Sequence, residues 1–209
     1  METVGVIGGG QMGSQIAALA AMAGYETHVY DSDSENLKSK IKFTEDNLLN
    51  LIDKGRYEKS KLDNFKEHLH SSESIDETIN KKSFVIEAVV ERLDIKLEIF
   101  ENISKKLDEN VVLATNSSFI PASEIAKSCE HPSRFINMHF FYPPIRMDLV
   151  EISYPVETNK ETIERTQTLG KDMGRTVITC KKETPGFIVN RMLAALTDEA
   201  YQLYDEGIA

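Results

Sequence analysis

The most constraining stretch of this chain is a glycine-rich segment close to its first residue, "VGVIGGGQMGSQIAA" at positions 4 to 18. It places four glycines within positions 8 to 13, directly after a short uncharged run rich in valine and isoleucine. Glycine weakens strands and helices, but it permits tight turns and lets other groups approach the backbone closely. The segment therefore predicts a sharp turn against which another molecule comes to lie.

The elements around these glycines are those of a dinucleotide-binding turn. A strand is predicted over residues 4–7, and an alanine-rich helix over residues 11–23. In the spacing Gly-x-Gly-x-x-Gly, the first glycine permits the turn, the second admits a pyrophosphate, and the third lets helix and strand pack closely. The helix N-terminus adds free N–H groups for the phosphates. The residues predicted to bind the cofactor here are Gly8, Gly10, Gln11, Met12 and Gly13.

Asp31 indicates which dinucleotide is bound. A second strand is predicted over residues 27–30, and Asp31 follows it, 18 residues after Gly13. Its carboxylate can accept hydrogen bonds from both ribose hydroxyls of NAD, and it would repel the 2′-phosphate of NADP. We therefore predict NAD as the cofactor. The alternative is that Asp31 only caps the following helix.

Composition excludes several classes of function. The net charge of −10 argues against non-specific nucleic-acid binding, and no apolar run approaches the roughly 18 residues of a membrane span. Residues 1–3 lead directly into a strand, so no signal peptide is expected. The two cysteines, Cys129 and Cys180, lie far apart and predict neither a disulfide framework nor a metal site. A cytoplasmic protein without metal, membrane or nucleic-acid partners is expected.

The rest of the chain alternates strands and helices, which predicts an α/β fold with a Rossmann-type, mostly parallel sheet and helices on both faces. A helical hairpin with a turn near Gly55 is predicted over residues 34–70. Strands are predicted over 83–89, 111–115, 134–141, 147–153 and 175–180, and helices over 92–106, from 121, and over 159–173.

The sequence changes character near residue 183. Thr184 can cap a helix and Pro185 can occupy its first turn. Apolar residues then recur at helical spacing to the end of the chain, yet one helix cannot make a domain. We therefore expect an NAD-binding domain over residues 1–182, and the start of a truncated all-α domain over residues 183–209.

A histidine and an acid make up a second candidate site, in "NMHFFYPPIRMDLVEIS". His139 ends a predicted strand beside a proline turn, and Glu151 lies on the next strand. Histidine exchanges protons near neutral pH, and a carboxylate on its other ring nitrogen fixes the tautomer and stabilises the imidazolium. Such a pair can take the hydroxyl proton during alcohol oxidation. The alternative is a core histidine whose ring is satisfied by the backbone.

Several motifs occur in the order found in one enzyme family. They are "GVIGGGQMG", "IEAVVERLDIK", "TNSSF", "HFFYP…MDLVEI" and "ETPGFIVNRM". With them, the whole chain resembles the L-3-hydroxyacyl-CoA dehydrogenases, and most of all the short-chain 3-hydroxybutyryl-CoA dehydrogenases. The resemblance implies oxidation of an (S)-3-hydroxyacyl-CoA to the 3-oxoacyl-CoA with NAD in fatty acid metabolism, by a homodimer in the full-length form.

The resemblance also implies roles for individual residues. His139 matches the catalytic base and Glu151 the acid that orients it; Ser118 and Asn190 match the residues that hold the reacting oxygen of the substrate. Glu91 and Lys96 match positions that contact the cofactor, and Ser118 lies near the nicotinamide. Tyr142 stands where the family most often has an asparagine that holds the nicotinamide, and Asp148 where many members have lysine.

The family clamps the CoA tail with the helical hairpin, which suits the basic stretch 38–66 of this chain. Lys54 is the best single candidate for a contact to a CoA phosphate; the alternative is a solvated helix surface. The other residues also have plain structural alternatives: Ser118 as a helix cap, Glu91 and Lys96 as surface charges of one helix, and Asn190 facing solvent. Phe140, Phe141 and Phe187 are assigned to core packing.

Two other functions remain open on the sequence. One is a related NAD-dependent dehydrogenase of a free hydroxy acid, against which the lysine-rich hairpin argues. The other is a truncated chain that binds NAD or a partner without turnover, because the family continues with further helices beyond the length of this chain.

Overall fold

The computed structural model describes residues 2–208, and it contains an eight-stranded sheet with helices packed against it. The strands are β1 (Thr3–Ile7), β2 (Glu26–Tyr30), β3 (Leu69–Ser71), β4 (Phe84–Glu87), β5 (Val112–Thr115), β6 (Phe135–Phe140), β7 (Leu149–Ser153) and β8 (Thr176–Thr179). The helices are α1 (Gly13–Met22), α2 (Ser34–Asp53), α3 (Ser60–His68), α4 (Ile75–Ile79), α5 (Leu93–Ser104), α6 (Ala122–Ala126), α7 (Lys160–Asp172) and α8 (Val189–Asp205), with a 3-10 turn over Pro132–Arg134.

The strands lie in the order β3-β2-β1-β4-β5-β6-β7-β8. Strands β6 and β7 pair antiparallel, and the other neighbouring pairs run parallel. The predicted α/β class with a mostly parallel Rossmann-type sheet is therefore confirmed. The order reverses between β1 and β4, and ligands bind in the crevice that such a reversal opens at the carboxyl ends of the strands.

Helices cover both faces of the sheet, because successive residues of a buried strand point to opposite faces. Val6 of β1 packs in one core with Ile16 of α1. Its neighbour Ile7 packs in a second core with Phe100 of α5. All ten residues of α1 are buried, which explains why this helix is so rich in alanine.

The predicted helical hairpin is present as α2 and α3, but its end differs from the prediction. Residues 69 and 70 were expected in the hairpin. Instead, Leu69–Ser71 form the short edge strand β3, which runs parallel to β2. Three residues are too few to show an alternating pattern, and the strand exists because β2 offers an unpaired edge.

The cap of α2 is Asp33, whose Oδ1 accepts a hydrogen bond from the backbone N–H of Asn36 at 2.9 Å.

Helix α8 differs from the other helices because none of its residues is buried. Its exposed apolar side chains include Met192, Leu196 and Tyr204. Within residues 2–208, no helix is both long enough and apolar enough to cross a membrane.

Candidate active site

His139 and Glu151 form a buried pair near the carboxyl end of β6. They are register partners across the antiparallel β6–β7 ladder, and His139 Nδ1 lies 3.0 Å from Glu151 Oε2. The histidine is 3% exposed and the glutamate is fully buried. A carboxylate can only accept, so Nδ1–H donates to it, and the lone pair of the neutral ring is left on Nε2. The geometry is that of an oriented base.

The second carboxylate oxygen of Glu151 holds the start of α8. Oε1 accepts hydrogen bonds from the backbone N–H groups of Ile188 at 3.1 Å and Val189 at 3.0 Å. Residues beyond 183 therefore contact the pair directly. The sequence did not predict this contact, because backbone donors carry no side-chain signature.

Two phenylalanines assigned to core packing in fact line this pair. The ring centroids of Phe141 and Phe187 lie 4.5 Å and 5.2 Å from that of His139. Phe187 is buried although its φ is +49°, a conformation that costs a non-glycine residue about 1–3 kcal/mol. Phe140 does belong to the main core, as predicted. The apolar rings keep water from the imidazole.

Burial determines the charge state of His139. It lowers the pKa of the imidazole below the ordinary value of 6.5, against the opposing pull of the carboxylates of Glu151 and Glu91. The ring is therefore neutral at pH 7. A neutral imidazole with a free Nε2 is the form that can accept a proton.

Ser118 and Asn190 meet although they are 72 positions apart. Asn190 Nδ2 donates to the backbone carbonyl of Ser118 at 3.3 Å, and both side chains are half-buried. Ser118 follows β5, which pairs parallel with β6, so it lies at the same sheet edge as His139. The cap-like contact in this segment belongs to Ser117, whose Oγ accepts from the backbone N–H of Ile120 at 2.9 Å. The alternatives of Ser118 as a helix cap and Asn190 facing only solvent are thus wrong.

The glycine turn borders a cleft of about 660 Å³. A Cβ on Gly13 would lie 1.7 Å from the carbonyl oxygen of Gly8, whereas a Cβ on Gly10 would meet nothing within 4 Å. The third glycine is therefore needed for packing, and the second leaves open space where a pyrophosphate can approach. The lining includes Gly8, Gly10, Gln11, Met12 and Asp31. The residues present fit NAD.

Asp31 faces the glycine turn rather than α2. Its Oδ2 accepts from the backbone N–H of Gly9 at 2.8 Å, and its Oδ1 accepts from that of Asp33 at 3.0 Å. The side chain lines the cleft. Because Asp33 is the residue that caps α2, the alternative role for Asp31 as the cap is wrong.

Glu91 and Lys96 are not surface charges of one helix. Lys96 is 1% exposed, and its Nζ lies 2.6 Å from Oε1 of Glu87 and 3.3 Å from Oε2 of Glu91. Glu91 lies in the turn before α5 and accepts from the backbone N–H of Ser118 at 2.9 Å. Sequence reasoning missed Glu87, although a lone acid at the end of a buried strand is a usable signal.

The remaining residues singled out in the sequence, Lys54, Tyr142 and Asp148, are exposed. Lys54 is exposed at the C-terminal end of α2 and makes no ion pair within residues 2–208. Tyr142 is 51% exposed and precedes a cis proline, Pro143. Asp148 pairs with Arg56 at 2.6 Å, so the negative charge that it introduces is neutralised locally.

Comparison with known proteins finds relatives that cover the whole chain. Residues 3–184 match the family described as 3-hydroxyacyl-CoA dehydrogenase, NAD binding domain. Mitochondrial hydroxyacyl-coenzyme A dehydrogenase of Sus scrofa is 35% identical over all of this chain and 68% of its own length. A probable 3-hydroxybutyryl-CoA dehydrogenase of Bacillus subtilis is 32% identical over all of this chain and 72% of its own.

A solved structure shows the same fold. The crystal structure of (S)-3-hydroxybutyryl-CoA dehydrogenase from Ralstonia eutropha superposes with a TM-score of 0.93 at 32% identity, covering all of this chain and 73% of that one. The fold of the whole chain is therefore shared with this relative. The chain belongs to the 3-hydroxyacyl-CoA dehydrogenase family, and residues 3–184 match its NAD-binding domain.

Proposed function

We propose that this protein catalyses the reversible, NAD-dependent oxidation of an (S)-3-hydroxyacyl-CoA to the 3-oxoacyl-CoA, with 3-hydroxybutyryl-CoA as the preferred substrate. The observation that carries the proposal is the buried His139–Glu151 pair at the sheet edge where the glycine cleft opens. The names of the relatives, which include 3-hydroxybutyryl-CoA dehydrogenases, support the short acyl chain.

His139 is the proposed base. Its Nε2 takes the proton of the substrate hydroxyl, and Glu151 stabilises the imidazolium through the 3.0 Å hydrogen bond to Nδ1. NAD, when bound, would supply the acceptor for the hydride that leaves the carbon bearing the hydroxyl. Ser118 and Asn190 hold the reacting oxygen, and the hydrogen bond from Asn190 Nδ2 to the backbone carbonyl of Ser118 keeps the two residues together.

The cofactor is held by residues of the glycine turn and of the neighbouring loops. The cleft-lining glycines would admit the pyrophosphate, and Asp31 would accept hydrogen bonds from the ribose hydroxyls. Glu91 accepts a hydrogen bond from the backbone N–H of Ser118, and these two residues, together with Tyr142, would lie near the nicotinamide. Lys96 is buried, so its contribution to cofactor binding runs through Glu91.

Acyl-CoA is the proposed substrate class because the hairpin carries exposed cations. Lys54 is free of ion pairs within residues 2–208, so its ammonium is available for a CoA phosphate. Replacement Lys54→Ala should raise KM for acetoacetyl-CoA by up to about fivefold, as expected for a solvent-exposed charge contact. Lys171→Ala, an exposed lysine on α7, should leave KM unchanged.

The decisive experiment follows NADH absorbance with acetoacetyl-CoA and with acetoacetate. Oxidation of NADH with the thioester and not with the free acid is expected. The variant His139→Gln should lower turnover about 10²–10⁴-fold, as for loss of a general base, whereas His131→Gln should not. Faster turnover with free acids would identify a hydroxy-acid dehydrogenase instead, and NAD binding without turnover would identify a binding chain.

Residues 1–182 are proposed as the NAD-binding unit and residues 183–209 as the start of a helical unit, since α8 has no buried residue. A homodimer is proposed because the exposed apolar side chains of α8 suit a protein partner. Sedimentation velocity tests the dimer.

A cytoplasmic location is proposed because Cys129 and Cys180 are both free and buried.

A further inference from the structure

Glu87, the last residue of β4, takes no part in the mechanism above, yet it is a fully buried carboxylate beside the site. We propose that Glu87 is a positioning residue that fixes the Ser117–Ser118 segment through two chains of hydrogen bonds and ion pairs. The inference rests on the proposed function, in which Ser118 holds the reacting oxygen.

The first chain runs through two charged side chains. Glu87 Oε1 lies 2.6 Å from Lys96 Nζ, which lies 3.3 Å from Glu91 Oε2. The other oxygen of Glu91 accepts from the backbone N–H groups of Ser118 at 2.9 Å and Phe119 at 3.1 Å. The position of Ser118 therefore depends on Glu91, and that of Glu91 depends on the cation that Glu87 holds.

The second chain runs through β5. Thr115 Oγ1 donates to Glu87 Oε2 at 2.7 Å and accepts from the backbone N–H of Ser117 at 3.2 Å. The carbonyl of Ser117 in turn accepts from Asn137 Nδ2 at 2.9 Å. The two oxygens of the Glu87 carboxylate are thus connected, through these contacts, to the adjacent residues Ser117 and Ser118 of one loop. Oε1 also accepts from the backbone N–H of Val89 at 2.7 Å, which fixes the wall of the glycine cleft.

Burial makes this arrangement rigid. Glu87 is fully buried and Lys96 is 1% exposed, so neither charge can exchange its partner for water. An ion pair held in a low dielectric has a narrow range of favourable geometry, and an unpaired buried charge is strongly unfavourable. The contacts join the ends of β4 and β5 to the loop whose carbonyl at Ser118 also receives Asn190.

The test compares Glu87→Gln with Glu98→Gln, the same chemical change on the exposed face of α5. The glutamine keeps the shape of the side chain but removes the charge that holds Lys96. Hydrogen exchange of the backbone amides of Ser118 and Phe119 is the direct readout. We expect about tenfold faster exchange at these amides in Glu87→Gln, with core amides of β1 and β6 unchanged, and no effect of Glu98→Gln.

Activity gives the second readout. In Glu87→Gln we expect kcat to fall by up to about 10²-fold with a smaller change in KM, because a displaced catalytic group affects the transition state most. The loss should not add to that of Ser118→Ala, since both changes act through the same residue. Unchanged exchange at Ser118 and Phe119, or fully additive losses, would overturn the inference.

Two complications are separated by design. If Glu87→Gln does not fold, Thr115→Val interrupts the second chain with a smaller change and should accelerate exchange at Ser117; unchanged exchange there would refute the inference. The exchange measurement needs no substrate. A parent protein without turnover would therefore contradict the proposed function, while the positioning role of Glu87 would still be decided by exchange.

Discussion

Glu151 joins His139 to the first residues of α8, because one of its oxygens accepts from the imidazole and the other from two backbone amides. The pair is therefore held by the sheet on one side and by the segment after residue 183 on the other. That same segment supplies Asn190, which contacts the Ser118 loop. The sheet and the start of α8 therefore both contribute residues to the site.

Replacement of Glu151 by glutamine should reverse the tautomer of His139. The two backbone amides at the start of α8 would hold the amide oxygen, so the NH₂ group would face Nδ1 and donate to it. The proton of the neutral ring would then be on Nε2, where the lone pair is needed. We expect kcat to fall about 10²–10⁴-fold with little change in the affinity for NAD.

Kinetics and ¹⁵N NMR of the imidazole ring check this prediction together. The matched control is Glu157→Gln, an exposed glutamate after β7, which should leave both unchanged. A Glu151→Gln variant with near-normal kcat and the Nδ1–H tautomer would show that Glu151 does not orient the base.

Alanine substitutions at two glycines of the turn should have different effects, one on stability and the other on NAD binding. Gly13→Ala places a methyl group 1.7 Å from a carbonyl oxygen, so it should lower the free energy of unfolding by about 1–3 kcal/mol or more. Gly10→Ala meets nothing within 4 Å, so it should leave stability nearly unchanged and weaken NAD binding by filling the cleft. Denaturant unfolding and calorimetric NAD titration measure the two effects. Equal NAD affinity in Gly10→Ala and the parent would contradict the proposed pyrophosphate position.

Asp31 should determine the preference for NAD over NADP. Asp31→Ala removes the acceptor for the ribose hydroxyls and the charge that repels a 2′-phosphate, so the ratio of the two dissociation constants should approach one. Asp33→Asn is the matched control, because asparagine keeps the cap of α2 while removing a nearby charge. If the parent binds NADP as tightly as NAD, or if the control has the same effect as Asp31→Ala, the assignment of Asp31 is wrong.

Most of the architecture could be predicted, because most strands and helices have clear periodicity and the glycine turn lies between a strand and a helix; the five-residue helix α4 was not predicted. The contact between His139 and Glu151 was one of two alternatives left by the residues, and the resemblance to the family favoured it, whereas the cleft residues followed from these elements. Strand β3 did not, because its three residues carry no pattern and depend on the edge that β2 offers.

The missed parts of the site have a common physical cause. Backbone amides, such as those that bind Glu151, leave no trace in side-chain identity. The partner of a buried acid is also hidden, because Lys96, which pairs with Glu87, looks like a surface charge of its helix until the fold places it inside. Phe187 was assigned to the core because apolar character does not show which side chain a ring will contact.

The lowered pKa of His139 makes a prediction about stability. The imidazole of the unfolded chain keeps the ordinary value of 6.5, whereas burial lowers the pKa in the native state. Between the two values the unfolded state binds more protons, so the free energy of unfolding must fall as pH decreases through 6.5 towards the native pKa, and level off below it. Stability contributed by the neutral ring is fully present above 6.5.

His139→Gln removes this dependence. Denaturant unfolding of both proteins at several pH values between about 7.5 and 5 should show the free-energy difference, parent minus variant, decreasing as pH falls. The subtraction cancels the pH dependence that comes from groups common to both chains, apart from groups coupled to His139 itself. A difference that grows in acid would mean that the carboxylate of Glu151 outweighs burial and raises the pKa of His139. The ring would then be mostly protonated near pH 6.5, and it would be a poorer base for alcohol oxidation.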